Sequence, residues 1–388
     1  MRNGPAVRST GVRHVPMATG GVDLAQRSMS NISEFLRFIV DNKASDLHIK
    51  AGAPPCARIS GRLTKGPFPA MTSAECERMA MELMDVDQAR VFNERGEVDF
   101  AHSEPGLGRF RTNVFRQRGS VALALRRVLP GSPTLERLGL PSVVRALADE
   151  PRGLVLVTGP TSAGKTTTTA AMINHINATR SCHILTIEDP IEILHPDRMA
   201  IVSQREIGND TKDFAAALRA AMRQDPDVIF VGEIRDPETV RAALQAADTG
   251  HLVISTLHTI DVAETVNRII DFFPPHQQKQ TRVSLAGSLK GVVSQRLVRR
   301  ADGKGLIPAI EVLVMNGRIR ELVLDSQRTH MIAEVVAESG FYGMQTFDQA
   351  LLSLYRTGMV ALDDALDTAT NPHDFQVALR REGLQPIS

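Results

Sequence analysis

The chain has no tryptophan, two tyrosines and three cysteines in 388 residues. So thin an aromatic complement offers little to stack successive bases on, which argues against a single-strand nucleic-acid platform. Cys56, Cys76 and Cys182 show no C-x-x-C spacing. They form neither a disulfide framework nor, alone, a four-cysteine zinc site, and they suit a reducing compartment. Excess charge is missing too. Forty-five basic against 44 acidic residues leave +1, so no whole-chain field draws the protein to nucleic acid. No apolar run approaches the ~18–20 residues of a membrane-spanning helix. Lysine is scarce, at eight of the 45 basic residues, so the place of each one is informative. Hydrophobic residues at 43% and charged residues at 23% are ordinary for a folded chain, long enough at roughly 100–200 residues per domain for two or three cores.

Residues 1–28 are rich in glycine, arginine and small side chains without apolar periodicity, and they lack a signal peptide's apolar stretch. They are expected to be a disordered leader; Met29, where the pattern begins, is a second candidate start. Residues 29–130 read as an N-terminal α+β domain. It comprises a short helix around Phe35–Val40, strands at Ala44–Ile49 and Cys56–Leu63, a helical stretch over Ser73–Asn93, and hairpin strands through VDFAHS and GRFRTNVFRQRGSVALALRRVL. Pro130, Gly131, Ser132 and Pro133 punctuate its end, and 131–150 read as a linker. From 151 to 375 the unbroken apolar runs LVLVT, HILTI, DVIFVG and HLVIST alternate with helices, the pattern of a mostly parallel α/β sheet buried on both faces. Asp236 is a helix N-cap, Pro237 its first residue and Gly250 the stop. Beyond about Phe272 the chain reads mostly helical, and 376–388 read as a C-terminal tail.

The strongest motif is the G-x-x-x-x-G-K-T loop formed by Gly159, Pro160, Thr161, Ser162, Ala163, Gly164, Lys165 and Thr166, followed by Thr167. Composition alone would produce it in about one such chain in 200. It also follows an apolar strand and enters a helix, the context this loop requires. Glycines let backbone N–H groups converge on phosphate oxygens, and a helix N-terminus adds partial positive charge. Lys165 is placed to neutralise the outer phosphates of a nucleoside triphosphate, and the Thr166 hydroxyl to hold Mg²⁺.

Carboxylates must supply the rest. Glu233 closes the strand DVIFVG at the sheet edge beside the loop, where an acid suits Mg²⁺ or its water shell. Glu188, Asp189 and Glu192 lie just past another strand, and one of them can polarise the attacking water; acidic turn chemistry around Pro190 is the plainer alternative. His251 and His258 flank one strand seven residues apart, which puts them on opposite faces. They are a poor chelating pair. One can reach the γ-phosphate while the other is a satisfied core or interface histidine. Among the arginines of the hairpin, Arg109, Arg111, Arg116, Arg118, Arg126 and Arg127, two (Arg111 and Arg126) are placed to contact phosphate in trans; an exposed basic hairpin is the alternative.

Together these stretches resemble the secretion-motor ATPase superfamily, and specifically its type IV pilus retraction branch (PilT/PilU type), over about Met29–Phe375. The stretches are ASDLHI at Ala44–Ile49, GPTSAGKTT at Gly159–Thr167, TIEDPIE at Thr186–Glu192, RQDPDVIFVGEIRD at Arg223–Asp236, TGHLVISTLHT at Thr249–Thr259 and GMQTFDQAL at Gly343–Leu351. The resemblance implies a RecA-like P-loop core with an N-terminal PAS-like domain, and ATP and Mg²⁺ as ligands. It makes Glu192 the catalytic glutamate, Glu233 the Walker B acid, and His251 and His258 the His-box pair; Arg111 and Arg126 approach the nucleotide. It further implies a homohexamer at the cytoplasmic face of the inner membrane, acting on the pilus platform protein, with a paralogous retraction or extension ATPase as a further partner and no nucleic acid. Arg318–Asp325 replaces the branch's AIRNLIRE signature with RIRELVLD. Extension and type II secretion ATPases are the nearer alternative, but they usually carry a longer N-terminal region and a cysteine-rich zinc insertion. A RecA-like nucleic-acid translocase is the more distant one.

Overall fold

The computed structural model describes Met1, residues 31–59 and residues 61–384. Apart from Met1, the expected leader lies outside the described residues. The first helix, Ile32–Asp41, begins on Asn31, whose side chain accepts from the Ser33 N–H; Ile32, Phe35, Leu36 and Ile39 form its buried stripe. Six strands follow: β1 (Asp46–Lys50), β2 (Cys56–Ile59), β3 (Arg62–Lys65), β4 (Glu97–Glu104), β5 (Gly108–Gln117) and β6 (Ser120–Pro130). They form an antiparallel sheet in the order β3-β2-β1-β6-β5-β4.

Two expectations are corrected here. Cys56–Leu63 is a hairpin rather than one strand, because Gly61 at φ +81° turns the chain and sets Cys56 opposite Lys65. The helical stretch over Ser73–Asn93 is two helices, Ser73–Leu83 and Val86–Arg95. Asp85 leaves the helical conformation to cap the second, accepting from the Gln88 N–H at 2.8 Å while the Gln88 side chain accepts from the Asp85 N–H.

The second sheet holds β7 (Gly153–Thr158), β8 (His183–Glu188), β10 (Ile201–Glu206), β11 (Val228–Val231), β12 (Leu252–Leu257), β13 (Leu289–Arg299) and β14 (Leu306–Val314); the two-residue β9 (Ile193–Leu194) stands apart from it. Its order is β10-β8-β11-β12-β7-β13-β14, parallel except for β14. Alternate residues of β7 serve two cores: Leu154 and Leu156 join one cluster, Val155 and Val157 the other. Each such side chain contributes about 1.5–3 kcal/mol when fully buried, which is why this strand reads as unbroken apolar sequence. The expected Asp236 cap is present and accepts from the Thr239 N–H at 2.7 Å.

Beyond Phe272 the chain is mostly helical, as expected, but that reading missed the strands β13 and β14. Polar residues interrupt the apolar ones in β13, so its sequence resembles a helix face, but its backbone completes the free edge of β7. Residues 131–150 include the helix Ser142–Ala148, whose Val144, Leu147 and Ala148 pack into a core cluster of the second sheet. The helix Pro372–Arg381 runs past the expected boundary at 375, and Phe375 and Leu379 are buried against Val298, Ile307 and Ala309. The first sheet is joined by backbone to the segment between β8 and β10: the end of β6 pairs with β9, Leu129 opposite Ile193 and Pro130 opposite Leu194.

Candidate functional site

The loop after β7 turns into the helix Lys165–Thr179 with Ser162 at φ +65° and Gly164 at φ +89°. No side chain caps this helix. Its first N–H groups therefore face the cavity that the loop encloses, the arrangement that binds anions. The cavity, about 650 Å³, is lined by Thr161, Ser162, Gly164, Lys165, Thr166 and Thr167 on one side. Opposite them are Glu188, Asp189, Glu192, Glu233, Arg235 and His258. Gly159, Pro160 and Ala163 shape the loop without lining the cavity.

A continuous polar chain crosses this space. Lys165 Nζ donates to the carbonyls of Gly159 at 2.7 Å and Pro160 at 3.0 Å, and lies 3.3 Å from His258 Nδ1. An ammonium only donates, so Nδ1 accepts and Nε2 carries the proton that faces Glu233 Oε1 at 3.2 Å. The other Glu233 oxygen is 2.8 Å from Arg235 Nη2, and Arg235 Nη1 is 3.9 Å from Asp189. Burial lowers the Lys165 pKa, with the Glu233 charge opposing it. Hydrogen bonding to Glu233 raises that of Arg235. Glu188 is buried, and that burial raises its pKa despite bonds from the Thr186 hydroxyl at 2.7 Å and the Gln204 amide at 3.0 Å.

Lys165, Thr166, Glu192, Glu233 and His258 thus converge as expected. Arg111 also reaches this site: its Nη1 lies 3.7 Å from Glu192 Oε1, the two side chains both partly exposed. Two expected residues do not. His251 sits at the other end of β12, about 23 Å from His258 by strand rise, with Nδ1 2.9 Å from the Ala246 carbonyl. It is the satisfied histidine of the pair. Arg126 is held within the N-terminal sheet, Nε 2.9 Å from Asp46 Oδ1. Burial works against the Asp46 charge, but the Ser45 hydroxyl and Arg126 prevail and lower its pKa.

Two residues were missed by sequence reasoning. Arg235 was visible inside GEIRD without a role. Gln295, on the strand that reads as helix, left no signal. Its amide donates to the Ala163 carbonyl at 2.5 Å and accepts from Thr168 Oγ1 at 2.8 Å, bracing the loop from beneath.

The donors fit a hard cation. Thr166 and Glu233 offer oxygens, and among the described residues no group of three or more His, Cys, Asp or Glu could hold a metal by itself. A cation bound here takes its remaining ligands from phosphate and water, as Mg²⁺ does.

Known proteins place this geometry. Residues 26–340 match the family model described as Type II/IV secretion system protein. The type IV pilus retraction ATPase PilT of Pseudomonas aeruginosa is 41% identical, over 89% of this chain and 100% of its own length. The type IV pilus ATPase PilU of the same organism is 40% identical over 89% and 91%. A crystal structure of the pilus retraction motor PilT with bound ADP superposes with a TM-score of 0.81 at 45% identity, covering 90% of this chain and 99% of that one. A phosphate loop entering an uncapped helix, faced by acids at the ends of β8 and β11 and matched along nearly its whole length by such relatives, makes this chain a member of the Type II/IV secretion system protein family, the secretion-motor ATPases.

Proposed function

We propose that this chain is the motor of type IV pilus retraction: an ATP hydrolase that works as a homohexameric ring. It stands at the cytoplasmic face of the inner membrane, against the pilus platform protein and alongside a paralogous pilus ATPase. The observation that carries the reading is the single cavity in which the phosphate loop, Glu192, Glu233 and His258 meet, in a chain that matches retraction motors end to end. No helix among the described residues is long and apolar enough to cross a membrane, which suits docking on a membrane protein.

In this reading Lys165 leaves the Gly159 and Pro160 carbonyls for the β- and γ-phosphates, and the loop N–H groups hold the remaining oxygens. The exchange is favourable because an ammonium bonds an anion more strongly than a neutral carbonyl. Thr166 and, through water, Glu233 would hold Mg²⁺, which supplies charge neutralisation at the phosphates. Glu192 orients the attacking water and accepts its proton. Arg111, on the N-terminal domain, exchanges Glu192 for the γ-phosphate, so nucleotide state is felt by that domain. A ligand biases such an equilibrium only by binding one arrangement better, and the γ-phosphate provides the difference.

Deleting the gene tests the biological assignment. Cells carrying surplus fibres that do not shorten support retraction. Bald cells would instead assign the chain to pilus assembly.

A further inference from the structure

The segment that carries Glu192 is suspended from β10. Gln204 donates to the Ile193 carbonyl at 2.9 Å and accepts from the His195 N–H at 2.8 Å. Glu206, 2% exposed, accepts from the Ile191 N–H at 3.0 Å. Glu192 therefore has a backbone neighbour tied down on each side. On each side the N-terminal domain also takes hold. The end of β6 pairs with Ile193 and Leu194, and Arg109 Nη2 lies 3.0 Å from the same Glu206 Oε2 that holds Ile191.

The Arg109–Glu206 contact is incomplete as a brace. Arg109 Nη1 donates to Ser103 at 3.2 Å within its own sheet, while its Nε is buried without a hydrogen-bond partner. A half-buried guanidinium with one buried, unsatisfied nitrogen regains hydration when the contact opens, so the ion pair contributes little net stability. Such a pair is suited to opening and closing. When it opens, Glu206 loses the cation that balances its charge, and the anchor of Ile191 weakens with it.

We infer that Arg109 and Glu206 are positioning residues that set the Glu192 carboxylate according to the position of the N-terminal domain, so that hydrolysis proceeds only when that domain is docked on its own core. This rests on Glu192 being the residue that activates water. The acid and the arginine act through the backbone of Ile191; neither touches nucleotide.

The test is a mutant cycle on the full-length protein with Mg-ATP: Arg109→Gln, Glu206→Gln, both together, Arg109→Lys, and Glu192→Gln as the control. Gln at 206 keeps an acceptor for the Ile191 N–H and removes the charge. Each single variant is expected to lose about tenfold in kcat with KM for ATP within twofold, because the nucleotide contacts are untouched. The double variant is expected to lose no more than the worse single one, as members of one unit do. Arg109→Lys keeps the charge and recovers part of the rate. Amide exchange at Ile191–Ile193 rises in the single variants. Unchanged kcat, additive losses, or a rise in KM with kcat intact would each overturn the inference. Should Glu206→Gln fail to fold, the Arg109 pair and the exchange measurement decide alone. Full turnover by Glu192→Gln would instead strike the underlying reading, which keeps the two failures distinct.

Discussion

Gly159 and Gly164, the two glycines of the phosphate loop, face the same neighbour. A Cβ on Gly159 would lie 2.4 Å from the Gln295 carbonyl oxygen, and one on Gly164 would lie 2.6 Å from the Gln295 amide nitrogen at a φ of +89°. Gly164→Ala therefore combines a clash with a left-handed backbone that costs an L-residue about 1–2 kcal/mol. It is expected to weaken nucleotide binding at least tenfold in a fluorescent-nucleotide titration, whereas unaltered affinity would show that the loop has room to shift. Lys165, Glu233 and His258 were legible in the sequence because the spacing G-x-x-x-x-G-K-T and the two strand ends fix them. His251 and Arg126 belong to equally recognisable stretches, yet each finds a local partner, Ala246 for one and Asp46 for the other. A motif marks residues that matter without saying which of them reach the nucleotide within one protomer. A second residue-scale prediction concerns Glu311, which accepts from the Val262 N–H at 3.0 Å. Burial first, then Asp261 and Asp348, raise its pKa to about 7, against the Val262 bond and Arg296. The native state thus holds this proton where the unfolded chain, near pH 4.5, has released it. Stability from Glu311 is complete below that pH and is lost as pH rises towards 7, by up to about 3 kcal/mol. Urea unfolding at pH 5 and pH 8 should show wild type losing ground to Glu311→Gln; equal losses would mean that the carboxyl ionises freely.

The elements most legible in sequence were those whose pattern answers to one cause. The central strands β7, β11 and β12 are buried on both faces, and their unbroken apolar runs announce it. Helix starts were readable where a side chain caps them. Asp236 accepts both the Thr239 N–H at 2.7 Å and the Thr239 hydroxyl at 2.9 Å. Asp236→Ala should cost about 1 kcal/mol, read as a lower urea midpoint with an unchanged slope; a change under a few tenths would mean that Pro237 alone sets the helix start. The strands β13 and β14 were hidden because their burial depends on partners distant in sequence: β13 lies beside β7, more than a hundred residues earlier. The split of the Ser73–Asn93 stretch was hidden for the opposite reason. Its apolar period continues through Asp85, and only the reciprocal bonds between Asp85 and Gln88 reveal the break.

For the whole molecule, the α/β class was legible in the apolar runs that alternate with helices. The way the two parts meet was not. The backbone joint between β6 and β9 and the contacts of Arg109 and Arg111 with Glu206 and Glu192 tie the N-terminal domain to the acids of the site, and no local pattern encodes them. A ring of such units predicts a particle of six 42.3 kDa protomers by native mass measurement in the presence of nucleotide; a strict monomer with full activity would contradict the ring. Phosphate release by the purified chain reads out hydrolysis at the phosphate loop itself. With Mg-ATP, wild type should turn over, Lys165→Ala should release nothing above background, and Glu192→Gln should retain bound ATP without releasing phosphate. Equal phosphate release by all three would contradict the account.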